Sequence, residues 1–191
     1  MTLGVDWGAF LKKHDMLWAF SSADSPEKFP ARWHEYPFFG NGVLGGGLAV
    51  EKGAGADVTL KLHVGRSDIW DRRAGTDKKL SQGNDFQMDR PRLILGHFAL
   101  TLTGAALAKG RMRLKLHDAV LTASFEMDGG GTIGVTAYAH AVKSVLVVTT
   151  TTATDGSAAP KWSWEPQVSA APKWLLGHAI AGRASGDRLC L

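Results

Sequence analysis

The sequence predicts an all-β protein: an antiparallel two-sheet β-(super)sandwich with an irregular N-terminal segment and a poorly structured C-terminal tail. Three observations predict it. Apolar and polar residues alternate with a period of two through one segment after another from residue 58 onward, the pattern of a half-buried strand. The connections are short and rich in glycine, of which the 191 residues contain 23, as tight turns and bulges require. No convincing helix separates the alternating segments, so neighbours pair antiparallel and the sheets pack face to face.

Taken in order, residues 8–20 read as a short helix, with Phe10, Leu11, Leu17 and Trp18 near helical spacing. Pro26, Pro30 and Pro37 then exclude regular helix as far as about residue 40. In VTLKLHV, Val58, Leu60, Leu62 and Val64 face one way, and Thr59, Lys61 and His63 the other. Phe98, Leu100 and Leu102 share a face in HFALTLT. In RMRLKLH, Met112, Leu114 and Leu116 oppose Arg111, Arg113 and Lys115, which makes the basic cluster the solvated side of a strand. Leu121, Ala123, Phe125 and Met127 continue the pattern, and Asp128-Gly129-Gly130-Gly131 reads as a hairpin turn into GTIGVTAYAHA. SVLVVTTTT is apolar on both faces and is expected to be a central strand covered on both sides. Trp162 and Trp164 close one more strand, after which Pro166 and Pro172 fragment the pattern. The resulting division is an irregular segment over 1–39, a β-sandwich domain over 40–165, and a linker or truncated tail over 166–191.

Composition narrows the function. Hydrophobic residues are 45% and charged residues 21% of the chain, a balance that folds rather than stays disordered. The net charge of +4 comes from basic residues spread along the sequence, which argues against a nucleic-acid footprint. No run approaches the roughly 20 apolar residues of a membrane span. The first twenty residues are interrupted by Asp6, Lys12, Lys13, His14 and Asp15, so no export signal is read there. Cys190 is the one cysteine, which rules out an internal disulfide and a CxxC-type zinc site. The seven histidines show no metal-ligand spacing, and neither a metal nor a cofactor is expected.

Gly40, Gly42 and Gly45 satisfy G-x-G-x-x-G, but a dinucleotide site needs a strand before it and a helix after it. Pro37 precedes these glycines and Gly46 and Gly47 follow, so a tight turn feeding a glycine-rich strand is the better reading. GRSDIWDRR holds Asp68 and Asp71 around Trp70, with Arg66, Arg72 and Arg73 beside them. Two carboxyls can serve glycoside hydrolysis; an Asp–Arg network fixing a loop is the commoner use of such residues. Trp162 and Trp164 fall on one side of an extended KWSWE, where paired indoles can form either core or a platform for sugar rings.

Several stretches together resemble the amino-terminal β-sandwich domain of glycoside hydrolase family 95, the family of inverting α-L-fucosidases. They are PFFGNGVLGGGLAV, LKLHVGRSDIWDRR, LGHFALTL and the meander from MRLKLHDAVLTASFEM to SVLVVTTTT, together covering about residues 14–165. The resemblance implies a sandwich followed by a linker and a catalytic (α/α)6 barrel, which 191 residues do not accommodate. It therefore carries over no catalytic residue. It implies that Gly40, Asn41 and Gly42, and the loop of Asp68, Trp70 and Asp71, look toward the missing barrel, with Phe38 and Phe39 helping to cover it. GRSDIWDR departs from the Asn-Glu-Asp type of run in the fucosidases, so fucose specificity is not carried over. The expected function is a non-catalytic domain of a carbohydrate-active hydrolase. The alternative is a free-standing module that binds oligosaccharide through Trp70, Trp162 or Trp164.

Overall fold

The computed structural model describes residues 4–25, 28–53, 57–70, 92–102, 107–153, 161–166, 183–185 and 188–190. They form one short helix, α1 (Trp7–Lys12), and twelve strands. The first half of the chain supplies β1 (Met16–Ser21), β2 (Phe38–Gly40), β3 (Leu44–Lys52), β4 (Val58–Trp70) and β5 (Arg92–Leu102). The second supplies β6 (Leu107–Lys115), β7 (Val120–Met127), β8 (Thr132–Ala139), β9 (Leu146–Ala153), β10 (Ser163–Pro166), β11 (Arg183–Ser185) and β12 (Arg188–Cys190). One sheet runs β1-β6-β7-β8-β9 and the other β10-β5-β4-β3-β2, every pairing antiparallel. The protein is thus an all-β sandwich of two five-stranded sheets.

Alternation decides which side of each strand is buried. Val58, Leu60, Leu62 and Val64 of β4 meet Met112, Leu121, Phe125 and Val135 of the first sheet in one apolar core. On β6, Arg111 and Arg113 stay exposed, and Arg113 pairs with Asp15 at 2.7 Å. The β7–β8 connection is the expected glycine hairpin, with Gly130 and Gly131 at φ 85° and 95°, a conformation that a side chain disfavours.

Rings lying over strand glycines recur through the packing. A Cβ on Gly110 would strike the Phe20 ring across the β1–β6 pair, and one on Gly47 would strike Tyr36. Phe39 and Trp164 lie close over Gly46 and Gly96. Each bare glycine gives an aromatic ring room to lie flat on the sheet.

Four expectations need correction. The helix ends at Lys12, capped at its start by Asp6, whose carboxylate accepts from Ala9 N at 3.0 Å. Leu17 and Trp18 belong instead to β1, where pairing with β6 turns Trp18 and Phe20 inward and leaves Leu17 72% exposed. SVLVVTTTT is not central: β9 ends the first sheet, with Leu146 and Val148 buried and Thr151, Thr152 and Ala153 exposed. Its second apolar face is two half-buried valines, Val145 and Val147. Arg66 and Asp68 lie on β4 itself, not on a loop, beyond a bulge between Val64 and Gly65. Phe39 is 6% exposed and belongs to the core, so of the two phenylalanines only Phe38 faces outward. In the C-terminal stretch the described residues form the β11–β12 ladder, and β12 lies against β9.

Candidate functional site

Gly40, Asn41 and Gly42 form the turn between β2 and β3, with Gly42 at φ 91°. A strand enters this turn and a strand leaves it. Asn41 clasps two loops together. Its side-chain oxygen accepts from Val43 N and Leu44 N at 3.0 and 2.9 Å. Its amide donates to His140 O and Lys143 O, at 2.8 and 3.2 Å, in the connection after β8. All its hydrogen-bonding capacity is thus engaged within the chain.

Asp68 forms a two-point ion pair with Arg66, at 2.9 Å from Nε and 2.7 Å from Nη2. The Arg66 hydrogen bond holds the Asp68 carboxyl below its ordinary range. A general acid in glycoside hydrolysis needs the opposite shift. Asp71 and the side chain of Trp70 lie outside the described residues, so Asp68 is the one carboxylate of that constellation whose geometry is on view.

Trp162 and Trp164 face inward, half-buried against the core. Trp162 Nε1 donates to Thr150 Oγ1 of β9 at 2.8 Å, joining the two sheets. Trp164 packs on Phe98, ring centroids 4.7 Å apart. Both tryptophans lie at the β10 side of the second sheet, and the β2–β3 turn lies at the other edge, four strand spacings or roughly 19 Å away. The sequence candidates do not converge on one site.

The residues that do converge lie on the outer face of the second sheet. Register aligns Phe38, Gly47, His63, His97 and Glu165 in one row across its five strands. Tyr36 lies over Gly47 and stacks on His63, with centroids 5.2 Å apart and planes 7° from parallel. The adjoining pair, Gly45 and Gly65, carries no side chains. The result is an open groove of about 640 Å³, floored by these glycines and walled by Trp33, His34, Tyr36, Phe38 and His63. Trp33 and Phe38 are 78% and 68% exposed. A second hollow, of about 470 Å³, lies on the first sheet between Leu17, Arg111, Arg113 and Thr122.

Burial lowers the His63 pKa below its ordinary value, and the neighbouring His97, 5.3 Å away between centroids, adds to the effect. Burial alone raises that of Tyr36. His97 Nε2 sits 2.9 Å from Glu165 Oε2, close enough for a charge interaction but outside hydrogen-bond alignment, and no other partner among the described residues reaches it. Among the described residues no group of three or more His, Cys, Asp or Glu side chains is placed to hold a metal ion. No helix among them is long and apolar enough to cross a membrane.

No protein-family model matches the chain, and no curated protein matches it. The site therefore rests on its own geometry. Sequence reasoning missed Trp33, Tyr36 and His63 as site residues. The available signal was the spacing of Gly45 and Gly47, which strips one face of β3 and leaves the residues opposite it uncovered.

Proposed function

We propose that the chain is a non-catalytic β-sandwich domain of a carbohydrate-active, α-L-fucosidase-like glycoside hydrolase whose catalysis belongs to an (α/α)6 barrel of the parent protein. The observation that carries the reading is the exposed aromatic rim of Trp33 and Phe38 around a glycine floor at the edge of the second sheet. Large apolar side chains grouped on a sheet's outer face mark a surface that meets something other than water. The sandwich fold and the ordered resemblance of PFFGNGVLGGGLAV, LKLHVGRSDIWDRR and LGHFALTL to the family's amino-terminal domain agree with it. So does the state of Asp68, ionised and held by Arg66, a poor proton donor.

Two measurements test this reading. The chain alone, offered a panel of aryl glycosides including an aryl α-L-fucoside, is expected to release no aryl alcohol. Turnover that falls in Asp68→Asn would overturn it. The native chain is also expected to bind an environment-sensitive hydrophobic dye, and the double variant Trp33→Ser, Phe38→Ser to bind much less. A native chain that leaves the dye dark would remove the interface on which the reading stands.

A further inference from the structure

We propose that the hollow above Gly65 is a binding site for one neutral pyranose ring of a glycan, stacked against the aromatic rim and hydrogen-bonded by Tyr36 and His63. The inference rests on the reading of this sheet face as the functional face of a carbohydrate-associated domain, and it adds the ligand and its position.

The strand glycines locate the vacancy. Gly46, Gly47, Gly96 and Gly110 each lie beneath an aromatic ring of the chain. Gly65 does not: a Cβ placed there meets nothing within 4 Å. Its cross-strand partner Gly45 also carries no side chain, although Phe39 O stands 3.1 Å from where its Cβ would lie, so the floor is two strands wide. A flat ring fits above Gly65 as the chain's own rings fit above the other four.

The walls specify the chemistry of that ring. Trp33, Phe38 and Tyr36 offer aromatic faces, which suit the C–H face of a sugar. The Tyr36 hydroxyl and the His63 imidazole make no hydrogen bond to any described residue, which leaves them available to ligand hydroxyls. A ligand with an apolar face and a polar edge uses both kinds of wall; a purely apolar ligand leaves the polar groups unpaired. Among the described residues no carboxylate, ammonium or guanidinium lines the groove, which favours a neutral ligand over a charged one. Its volume of about 640 Å³ falls within the range of about 300–1,000 Å³ usual for small-molecule sites.

The test titrates the full chain, labelled with ¹⁵N, with methyl glycosides of neutral hexoses and 6-deoxyhexoses to about 50 mM, since a ligand this small binds weakly. Saturable shifts are expected at residues 33–47 and 63–65, together with a change in tryptophan fluorescence. Gly65→Leu fills the hollow at a position without a positive φ and with free space above it. It is expected to weaken binding about tenfold or more while melting as the native chain does. Tyr36→Phe, which keeps the ring over Gly47 and removes the hydroxyl, is expected to weaken it less. Absence of saturation with every sugar overturns the proposal, as does undiminished binding by Gly65→Leu. Shifts at the same residues from a proline-rich peptide or a fatty acid, but from no sugar, also overturn it. If the sugars fail while the chain stays inert toward aryl glycosides, only the ligand assignment falls; turnover by the chain alone would instead sink the accessory-domain reading.

Discussion

Replacing Asn41 by alanine separates a structural role for the β2–β3 turn from a recognition role. The amide makes four hydrogen bonds, two of them partly buried, to Leu44 N and His140 O, and two exposed, to Val43 N and Lys143 O. A typical intramolecular hydrogen bond contributes about 1 kcal/mol, and the exposed ones fall at the low end, about 0.5 kcal/mol each, because water replaces them. The sum is about 3 kcal/mol. Releasing the ordered side chain returns somewhat less than about 1 kcal/mol. A net loss of about 2 kcal/mol remains, or a fall of about 4–8 °C in Tm for a chain of this size. Urea denaturation followed by circular dichroism measures it as a lower midpoint with an unchanged slope. Asn41→Asp discriminates further. It keeps both acceptor bonds but turns a carboxylate toward the carbonyls of His140 and Lys143, so it is expected to be no better than alanine. An Asn41→Ala loss below about 0.5 kcal/mol would refute the clasp, and so would an Asn41→Asp chain as stable as the native one.

Gly110→Ala drives a methyl into the Phe20 ring, itself packed on Phe29 at 5.0 Å, and is expected to cost about 1–3 kcal/mol in the same denaturation experiment. Trp162→Phe leaves Thr150 without its 2.8 Å donor and is expected to lower stability by about 1 kcal/mol; NMR titration with glycosides should find sugar binding intact, because Trp162 faces away from the groove. Asp15 and Asp24 are held below their ordinary value of 3.8, first by the bond from Leu116 N and first by Lys28 respectively. The unfolded chain therefore binds more protons, and their stabilising contribution is complete above pH 3.8 and lost as pH falls through the lower folded-state values. Unfolding at stepped pH should show this loss reduced in Asp15→Asn. His63 has the same sign in a higher window: its lowered folded value makes protonation unfavourable, so a penalty sets in as pH falls below 6.5. His63→Gln should remove that step.

The core was legible because it depends on period alone. Val58, Leu60, Leu62 and Val64, or Leu121, Ala123 and Phe125, take their side of the sheet from local backbone geometry, whatever strand lies beside them. What period cannot supply is neighbourhood. Nothing local tells SVLVVTTTT that only β8 hydrogen-bonds to it within its sheet, and the apolar look of both faces came from Val145 and Val147, which the edge position leaves half-buried. The same limit applied to β1. Four apolar residues near helical spacing fit a helix over 8–20, but the partner that made Met16–Ser21 a strand is β6, far along the chain. The site was hidden for a related reason. Gly45, Gly47 and Gly65 become one floor only through the β3–β4 register, and Tyr36 reaches them from a proline-broken segment that no periodicity describes.

This division also bears on how the domain would meet a partner. The resemblance points to the GNG turn as the part that looks toward a barrel, and Asn41 is its most polar residue. Yet its donors and acceptors are bound to Val43, Leu44, His140 and Lys143, so a second domain would have to break the clasp to use them. What the edge offers without such a cost is apolar: Val43 and Phe38, 44% and 68% exposed. A stable interface draws most of its energy from a few well-buried aromatic anchors rather than from rim polar groups. Phe38 has the size and exposure that such an anchor needs, and it also walls the groove above Gly65. Barrel packing and sugar binding would therefore compete for one side chain unless the ring sits on the Trp33 side of the groove. Phe38→Ala should then disturb domain association more than sugar affinity, whereas Trp33→Ala should do the reverse.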